Sequence, residues 1–240
     1  MRSDLEYARI IELIGKGLNN CEVSRLTGTP VTTVLRWRRG ERAGRHDWCP
    51  VCAAGLIDLV AYAYLLGLYL GDGCLVHRRG DVFNLEIYLD RKYPRIVKEA
   101  EAAMVRVRRG QVHVTERCDN IFIVSSYWKH WPCVFPQHGP GAKHKRPIRL
   151  DSWQEGLVRQ APDQLIRGLI HSDGCRAINT VKGREYPRYQ FTNYSDDIRQ
   201  IFCDTCDLLG IEWKQSNWRT ISVSRRAEVE KLDRFIGPKR

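Results

Sequence analysis

Two aspartates in this sequence occupy the same place in two similar ten-residue segments. The segment LLGLYLGDGC covers residues 65–74, and IRGLIHSDGC covers residues 166–175. An alignment without gaps pairs Asp72 with Asp173, which lies 101 residues further along the chain. The same alignment pairs identical residues elsewhere: Gly67 with Gly168, Leu68 with Leu169, Gly73 with Gly174, and Cys74 with Cys175. This spacing predicts an internal repeat the size of a small domain.

A pair of carboxylates brought together by such a repeat would bind a divalent cation. Each aspartate would end a helix, where the helix dipole disfavours negative charge, and the two charges would repel each other. Mg²⁺ compensates such a pair because it prefers carboxylate oxygens, with water and phosphate completing its shell. The alternative is two solvated Asp-Gly helix ends, which are common singly. Their duplication in register favours the metal site.

The helix that carries Asp72 belongs to a long apolar run, AAGLIDLVAYAYLLGLYLGDGCL, at residues 53–75. A membrane span needs about 20 apolar residues. A span here would bury Asp58 in the bilayer, and no other segment of the sequence reaches spanning length. We therefore predict a core helix and no membrane association.

Small residues recur at the spacing that lets two helices approach closely. Gly67 and Gly71 of the first segment correspond to Gly168 and Ser172 of the second. We predict that the two helices pack along this face and hold the two aspartates side by side. Each helix should stop at Asp-Gly, with the glycine in the left-handed conformation that ends many helices.

The flanking sequence repeats as well. Alternating apolar residues predict strands at residues 81–90, 111–115 and 121–126, and again at 189–193, 211–216 and 220–224. Helical spacing is found at residues 93–105, 197–209 and 227–235. Each half therefore has the order helix, hairpin, helix, hairpin, helix.

The charge balance indicates a polyanionic partner. Lys and Arg number 39 against 28 Asp and Glu, a formal net charge of +11. Such a surplus points to nucleic acid or an anionic membrane surface. Nine cysteines is an odd number, and no signal peptide opens the chain. We therefore expect reduced thiols and a cytoplasmic protein, either bacterial and nucleoid-associated or phage-encoded and intracellular.

Residues 65–73 (LLGLYLGDG) and 166–174 (IRGLIHSDG) match the nine-residue signature of the LAGLIDADG homing endonucleases, and residues 61–238 resemble that family. The resemblance implies an α+β fold: a pseudo-twofold pair of αββαββα repeats in one monomer. Two four-stranded antiparallel sheets would form a saddle over the major groove of double-stranded DNA. Leu70 and His171 stand where the signature usually has its first acid.

The same resemblance implies a catalytic site. Asp72 and Asp173 would bind Mg²⁺, with the backbone carbonyls of Gly73 and Gly174 as further ligands, and would cut both strands. Polar residues at the strand ends would surround the metal; the candidates are Arg91, Ser195, Lys214 and Arg225. Some proteins of this family keep the fold for transcriptional regulation and have lost cleavage.

A second DNA-binding pattern lies near the N-terminus. Residues 5–14 have helical spacing, and residues 19–40 (NNCEVSRLTGTPVTTVLRWRRG) read as helix, Gly-Thr-Pro turn, helix. This resembles a helix-turn-helix of the resolvase or homeodomain kind. Its second helix would enter the major groove with a polar, cationic face; the DNA-contacting candidates are Thr32, Thr33, Arg36, Arg38 and Arg39. The alternative is a plain three-helix bundle with a solvated charged face.

The sequence CPVC contains Cys49 and Cys52, which form half of a structural zinc site. Two other pairs could complete it. One is His130 with Cys133 in HWPC, and the other is Cys203 with Cys206 in CDTC. The last two also fit core thiols one helical turn apart.

A basic, Pro- and Gly-rich segment joins the two repeats. Phosphate contact is the preferred interpretation of its cations, Lys143, Lys145 and Arg146, over a second metal site built on its histidines. The predicted organisation is a helix-turn-helix domain at residues 1–40, a linker with CPVC at 41–60, repeat 1 at 61–135, a second linker at 136–160 and repeat 2 at 161–240.

The function predicted from these patterns is site-specific, Mg²⁺-dependent hydrolysis of double-stranded DNA, which makes the chain a DNA endonuclease. The main alternative is a sequence-specific DNA-binding transcriptional regulator that does not cut. A third interpretation is a splicing helper that binds structured RNA. A preference for RNA over duplex DNA would distinguish it.

Overall fold

A computed structural model of the chain describes residues 4–40, 49, 51–52, 57–117, 119–237 and 239. The chain divides into two compact units, with the division between Trp48 and Cys49.

The first unit contains three short helices, α1 (Asp4–Gly15), α2 (Asn20–Thr27) and α3 (Val31–Arg38). Asn19 caps α2: its Oδ1 accepts the backbone N–H of Glu22 at 3.0 Å, and the Glu22 carboxylate accepts that of Asn19 at 2.8 Å. Gly28 ends α2 at φ +64°, the left-handed conformation that glycine adopts without strain. A small core of Ile10, Val23 and Val34 holds the three helices together.

The second unit consists of two repeats with the same order of elements. Repeat 1 comprises α4 (Leu59–Asp72), β1 (Gly73–Arg78), β2 (Val82–Asp90), α5 (Pro94–Arg108), β3 (His113–Glu116), β4 (Ile121–Trp128) and the short α6 (Trp131–Val134). Repeat 2 comprises α8 (Pro162–Asp173), β5 (Gly174–Val181), β6 (Arg184–Thr192), α9 (Asp196–Leu208), β7 (Lys214–Asn217), β8 (Thr220–Val223) and α10 (Arg226–Ile236). The predicted pair of αββαββα repeats is confirmed.

Each repeat forms one four-stranded antiparallel sheet. The strand orders are β1-β2-β4-β3 and β5-β6-β8-β7, so the two sheets have the same topology. The β2–β4 and β6–β8 registers correspond too, because the last residues of β2 and β6, Asp90 and Thr192, pair with the first residues of β4 and β8. The first hairpins are offset by two residues: Ile87, opposite Gly73, lies three residues before the end of β2, whereas Phe191, opposite Gly174, lies one residue before the end of β6. In β1, buried and half-buried residues alternate from Gly73 to Val76, as the period of two requires.

Helices α4 and α8 cross at their glycines, as the small-residue pattern predicts. A Cβ on Gly67 would lie 2.6 Å from the carbonyl oxygen of Leu165, and a Cβ on Gly168 would lie within 3.0 Å of the Tyr64 carbonyl oxygen and of the Gly67 Cα. Further along, a Cβ on Gly71 would collide with the Ser172 hydroxyl. The backbones therefore touch, which only glycine permits here.

The conformation predicted for Gly73 and Gly174 is wrong. Both are extended, with φ −97° and −105°, because each is also the first residue of a strand. Their lack of a side chain serves a different purpose. A Cβ on Gly73 would lie 2.6 Å from the Cα of Tyr69, and one on Gly174 would lie 2.6 Å from the Cα of Ile170. Glycine is needed so that each strand can fold back closely over the end of its helix.

The apolar run of the first repeat is buried within the second unit. Ten consecutive residues of α4, from Ala61 to Leu70, are buried. No helix among the described residues is long and apolar enough to cross a membrane. The segment predicted as a linker at residues 136–160 contains one more helix, α7 (Ser152–Gln160). Gln154 of α7 is fully buried and donates a hydrogen bond to the Tyr62 hydroxyl at 2.6 Å, so α7 packs against α4.

Candidate active site

Asp72 and Asp173 are the last residues of α4 and α8, and both line one cleft of about 730 Å³. Close packing at Gly71 and Ser172 brings the two helix ends together, so that a Cβ on Gly71 would lie 2.9 Å from Asp173 Oδ2. The other polar side chains around the cleft come from α4, from strand ends and from the segment between the repeats; they are Tyr69, Cys74, Tyr88, His138, Lys143, His144, Arg146, Thr192, Asn193 and Tyr194.

The two carboxyl groups hold protons more tightly than exposed aspartates do. Burial, with a further contribution from the charge of Asp173, raises the pKa of Asp72 to about 7. Burial also raises the pKa of Asp173, while a hydrogen bond from Asn193 and two nearby lysines act against that rise. These are the electrostatics of a site that gains by binding a cation.

Two lysines cap the C-terminal ends of α4 and α8. The Lys143 ammonium donates to the carbonyls of Leu70 at 3.0 Å and Gly71 at 3.1 Å, and also to that of Tyr69. In the second repeat, Lys239 donates to carbonyls of α8 and of Gly174, the latter at 2.9 Å.

These lysines donate hydrogen bonds to backbone carbonyls that lack a partner within the helix, as the last carbonyls of every helix do. Their charges also compensate the paired carboxylates, since Lys143 and Lys239 both lower the pKa of Asp72. Burial disfavours the charged form of both lysines: it lowers the pKa of Lys143 to about 8 and also lowers that of Lys239.

Asn193, at the end of β6, contacts one of the two carboxylates directly. Its side-chain nitrogen donates to Asp173 Oδ2 at 2.6 Å, and its Oδ1 accepts the backbone N–H of Ser195 at 2.8 Å. The second hydrogen bond orients the first. Asn193 therefore fixes the rotamer of Asp173 from the strand side of the cleft.

The carboxylates of the site are suitable ligands for Mg²⁺. Two half-buried carboxyl groups with raised pKa values open into a polar cleft, and Mg²⁺ uses one or two carboxylates while keeping water and phosphate as its other ligands. The glycine carbonyls fit less well, because the Gly174 oxygen already accepts the Lys239 ammonium. Asp72 and Asp173 are the residues that would hold the metal.

Solved LAGLIDADG structures are similar to this chain. The I-SmaMI LAGLIDADG homing endonuclease bound to cleaved DNA is 10% identical, with a TM-score of 0.47, over 74% of this chain and 83% of that one. The LAGLIDADG meganuclease I-AabMI bound to uncleaved DNA is 12% identical, with a TM-score of 0.47, over 73% and 84%. The N-terminal LAGLIDADG domain of DUF199/WhiA is 13% identical, with a TM-score of 0.47, over 76% and 84%. No protein-family model and no curated protein matches the sequence.

The predicted second set of polar residues lies elsewhere. Arg91 pairs with Glu116 at 2.6 Å, and Arg225 forms an ion pair with Glu212. Ser195 is buried and caps α9 by accepting the backbone N–H of Ile198. Lys214 is exposed on β7, and none of the four is among the residues that line the cleft.

The predicted DNA-contacting residues lie in both units. Thr32, Thr33, Arg36 and Arg38 are on α3, and Arg39 follows it; all are exposed except the half-buried Thr33. In the segment between the repeats, Lys145 is exposed, whereas Lys143 is committed to the end of α4 and the Arg146 guanidinium donates to the Gln137 carbonyl. Contact of these residues with DNA stays a prediction.

The candidate cysteine pairs lie in different parts of the structure. Cys203 and Cys206 are buried in α9, whereas Cys49 and Cys52 lie together with His130 and Cys133. All eight cysteines of the described residues are free thiols.

Two side chains of the site, Lys239 and Asn193, were not predicted from the sequence. A signal for Lys239 was present, because Gly-Pro precedes both lysines, in GPGAK at residues 139–143 and in GPK at residues 237–239. Asn193 had no such signal, because its equivalent position in the first repeat does not carry an amide.

Proposed function

We propose that this chain is a LAGLIDADG protein that cleaves double-stranded DNA at a specific site. The observation that carries the proposal is the pair of half-buried aspartates, Asp72 and Asp173, at adjoining helix ends in one polar cleft. A carboxylate pair with raised pKa values lowers the stability of the fold, which favours a functional role for it. Both repeats place an aspartate at the same position of the helix. Cation-assisted phosphodiester hydrolysis uses such a pair directly.

Each residue of the cleft has a separate task in this reaction. Mg²⁺, when bound, would polarise the phosphodiester, help ionise a water molecule and stabilise the leaving oxygen. Asp72 and Asp173 hold the metal, and Asn193 keeps Asp173 in its binding rotamer. Lys143 caps the end of α4, Lys239 caps the end of α8, and the two would supply positive charge beside a phosphate.

The surface beside the cleft supports a nucleic-acid substrate. Tyr194 lines the cleft, and its ring meets that of Trp218 at 5.6 Å. Arg219 lies over both rings, at 5.4 Å and 5.7 Å. Both aromatic side chains are more than half exposed, which is costly for large rings unless a partner covers them. Exposed rings interleaved with arginine are typical of surfaces that contact bases and phosphates.

A second function, sequence-specific DNA binding without cleavage, is favoured by one observation. The two lysines already compensate the two aspartates in part, because their charges act against the rise in the pKa of both carboxyl groups without a metal. A chain that had given up cleavage could keep this arrangement as a stable core. It would then act as a transcriptional regulator built on the same fold.

One experiment separates the two functions. The full chain is incubated with a randomised duplex library, with Mg²⁺ or with EDTA, and bound and cut molecules are sequenced separately. An endonuclease yields cut molecules that share one site, only with Mg²⁺. A regulator yields a bound site that stays intact with Mg²⁺ and with Mn²⁺, and that result would overturn the proposal of cleavage.

The first unit is proposed to bind DNA through α3. Replacing Arg36, Arg38 and Arg39 with Ala should weaken binding of the full chain and flatten its salt dependence, because fewer counterions are released from the phosphates. Replacing three basic residues of another surface, Arg95, Arg226 and Lys231, controls for net charge. Equal salt slopes for the two triple variants would mean that α3 does not contact DNA.

A further inference from the structure

Three thiols and one imidazole from two distant segments converge outside the cleft. Cys49 and Cys52 come from the segment before α4, His130 immediately precedes α6, and Cys133 lies within α6. The four ligand atoms all lie within 4.8 Å of one another. This is the only group of three or more Cys, His, Asp or Glu with such geometry in the described part of the chain.

The distances within the group match the edges of a metal-centred tetrahedron. Cys52 Sγ lies 3.5 Å from Cys133 Sγ, and each of these sulfurs lies 3.6 Å from His130 Nδ1. Bond lengths of ~2.3 Å for Zn–S and ~2.0 Å for Zn–N give tetrahedral edges of about 3.8 Å between sulfurs and about 3.5 Å between sulfur and nitrogen. A disulfide would require sulfurs only ~2.05 Å apart. The spacing therefore corresponds to ligands of a shared ion.

Local structure holds each half of the group in place. The backbone N–H of Cys52 is directed at Cys49 Sγ at 3.4 Å, an interaction that stabilises a thiolate. Cys133 N–H donates to the His130 carbonyl at 3.0 Å, which closes the turn that brings these two ligands together. The Trp128 ring packs against His130 at 5.5 Å and fixes the plane of the imidazole.

We propose that Cys49, Cys52, His130 and Cys133 bind one structural zinc ion. Three thiolates and one imidazole in a closed tetrahedral set form a common structural zinc site, with no position left open for a substrate. The ion would connect the segment that contains Cys49 and Cys52 to α6. Cys52 and Cys133 are 81 residues apart in the sequence.

Helix α6 is itself part of the core. Trp131 is fully buried, and the Val134 carbonyl accepts a hydrogen bond from the Tyr62 hydroxyl of α4 at 2.9 Å. The zinc ion would therefore attach the start of the second unit to the packing around α4. This proposal does not depend on whether the cleft cuts DNA.

Metal analysis of the intact chain tests the site. The full-length protein, without a histidine tag and purified under reducing conditions, should contain about one equivalent of zinc. Removal of the metal with a strong chelator should lower the thermal midpoint by about 5 °C or more, and added zinc should restore it. Zinc-free protein whose midpoint does not respond to added zinc would overturn the proposal.

Substitutions identify the ligands. Cys52→Ser and His130→Ala should each reduce the bound zinc to less than half, whereas His130→Cys should retain it as a four-thiolate site. Cys21→Ser, at an exposed thiol of the first unit, should leave the zinc content unchanged.

Cobalt substitution reports the coordination even where a variant is poorly stable. The wild-type chain loaded with Co²⁺ should show tetrahedral d–d bands and thiolate charge transfer, and His130→Cys should strengthen the charge transfer. Octahedral spectra, or equal zinc content in Cys52→Ser and Cys21→Ser, would exclude this ligand set.

Discussion

At the end of β6, Asn193 donates to the carboxylate of Asp173, whereas the residue at the matching place in repeat 1 is Arg91. The match is set by the backbone, because Arg91 N–H donates to the Asn120 carbonyl at 2.9 Å and Asn193 N–H donates to the Arg219 carbonyl at 3.0 Å. Arg91 turns away to pair with Glu116. The two aspartates therefore share a scaffold and differ in their immediate surroundings.

A second difference lies two residues before each aspartate. Leu70 of repeat 1 is fully buried, and His171 of repeat 2 accepts or donates a hydrogen bond with the Tyr64 hydroxyl at 2.9 Å. The crossing glycines, the terminal aspartates and the capping lysines are common to both repeats. Other side chains have diverged even within the helix contact, since His171 of α8 reaches Tyr64 of α4 where repeat 1 has Leu70. The symmetry is strictest where the two backbones touch, at Gly67 and Gly168.

The largest effect is expected where the repeats are equivalent. Asp72→Asn and Asp173→Asn should each slow cleavage of an identified site by about 100- to 1,000-fold, because either change removes a metal-binding charge. Binding to the same DNA should persist, since we expect the phosphate contacts mainly on the sheets and basic loops. The measurement is single-turnover cleavage in Mg²⁺ together with a binding titration. Full cleavage by the double variant would refute the assignment of the two aspartates.

Gly168→Ala tests the contact that creates the symmetry. The added methyl group would overlap the Tyr64 carbonyl oxygen, so α4 and α8 must separate, at a cost of about 3 kcal/mol in the free energy of unfolding. Gly156→Ala in α7 is the matched control, because a Cβ there meets nothing within 4 Å and should leave stability equal or higher by up to about 1 kcal/mol. Chemical denaturation measures both. Equal midpoints would mean that the helices tolerate separation.

His171→Leu makes repeat 2 resemble repeat 1 and tests a pH dependence. Burial lowers the pKa of His171 to about 4, below the usual value of 6.5. Between these values the unfolded chain binds the proton and the folded chain does not, so stability falls as the pH decreases.

The expected contribution of His171 is about 2 kcal/mol between pH 7 and pH 5, and it should disappear in the variant. Denaturation curves at both pH values measure it, with the exposed His144→Gln as the control. Equal losses in wild type and His171→Leu would assign the pH dependence to other groups.

Asn193→Ala should give the smallest effect and sharpen the comparison most. Loss of the hydrogen bond to Asp173 should raise the Mg²⁺ concentration needed for half-maximal cleavage about 10-fold. Arg91→Ala, at the matching position of repeat 1, should leave it unchanged, because Arg91 pairs with Glu116. A Mg²⁺ titration of the cleavage rate compares the two. An equal shift for both variants would mean that Arg91 reaches the site when DNA is bound.

The sequence was informative wherever the repeat duplicated a pattern. Gly67, Gly168 and the two aspartates were predicted together because a small-xxx-small face and a terminal carboxylate recur in register, and the order of strands and helices followed from periodicity. Residues that act once could not be found this way. Asn193 has no counterpart, and α7 lies in a segment whose Pro and Gly content is typical of a linker.

Tertiary contacts decided the remaining differences. Gly73 and Gly174 follow a helix-ending aspartate, which favours a left-handed cap in isolation, but strand pairing of Gly73 with Ile87 holds the backbone extended. The proposed zinc ligands illustrate the same limit, since two pairs could complete CPVC in sequence. Folding brings His130 and Cys133 to it and buries Cys203 and Cys206 in α9.

The contact between α4 and α8 also governs how the chain can be made. Ten successive buried residues of α4 await a partner helix about 100 residues downstream. At a translation rate of ~5–20 residues per second, roughly 5–20 s pass before that partner leaves the ribosome. During this interval the nascent chain carries an apolar helix covered on one side at most, which is a substrate for chaperones that bind exposed hydrophobic segments. Its last covering element arrives only when the second repeat has been synthesised.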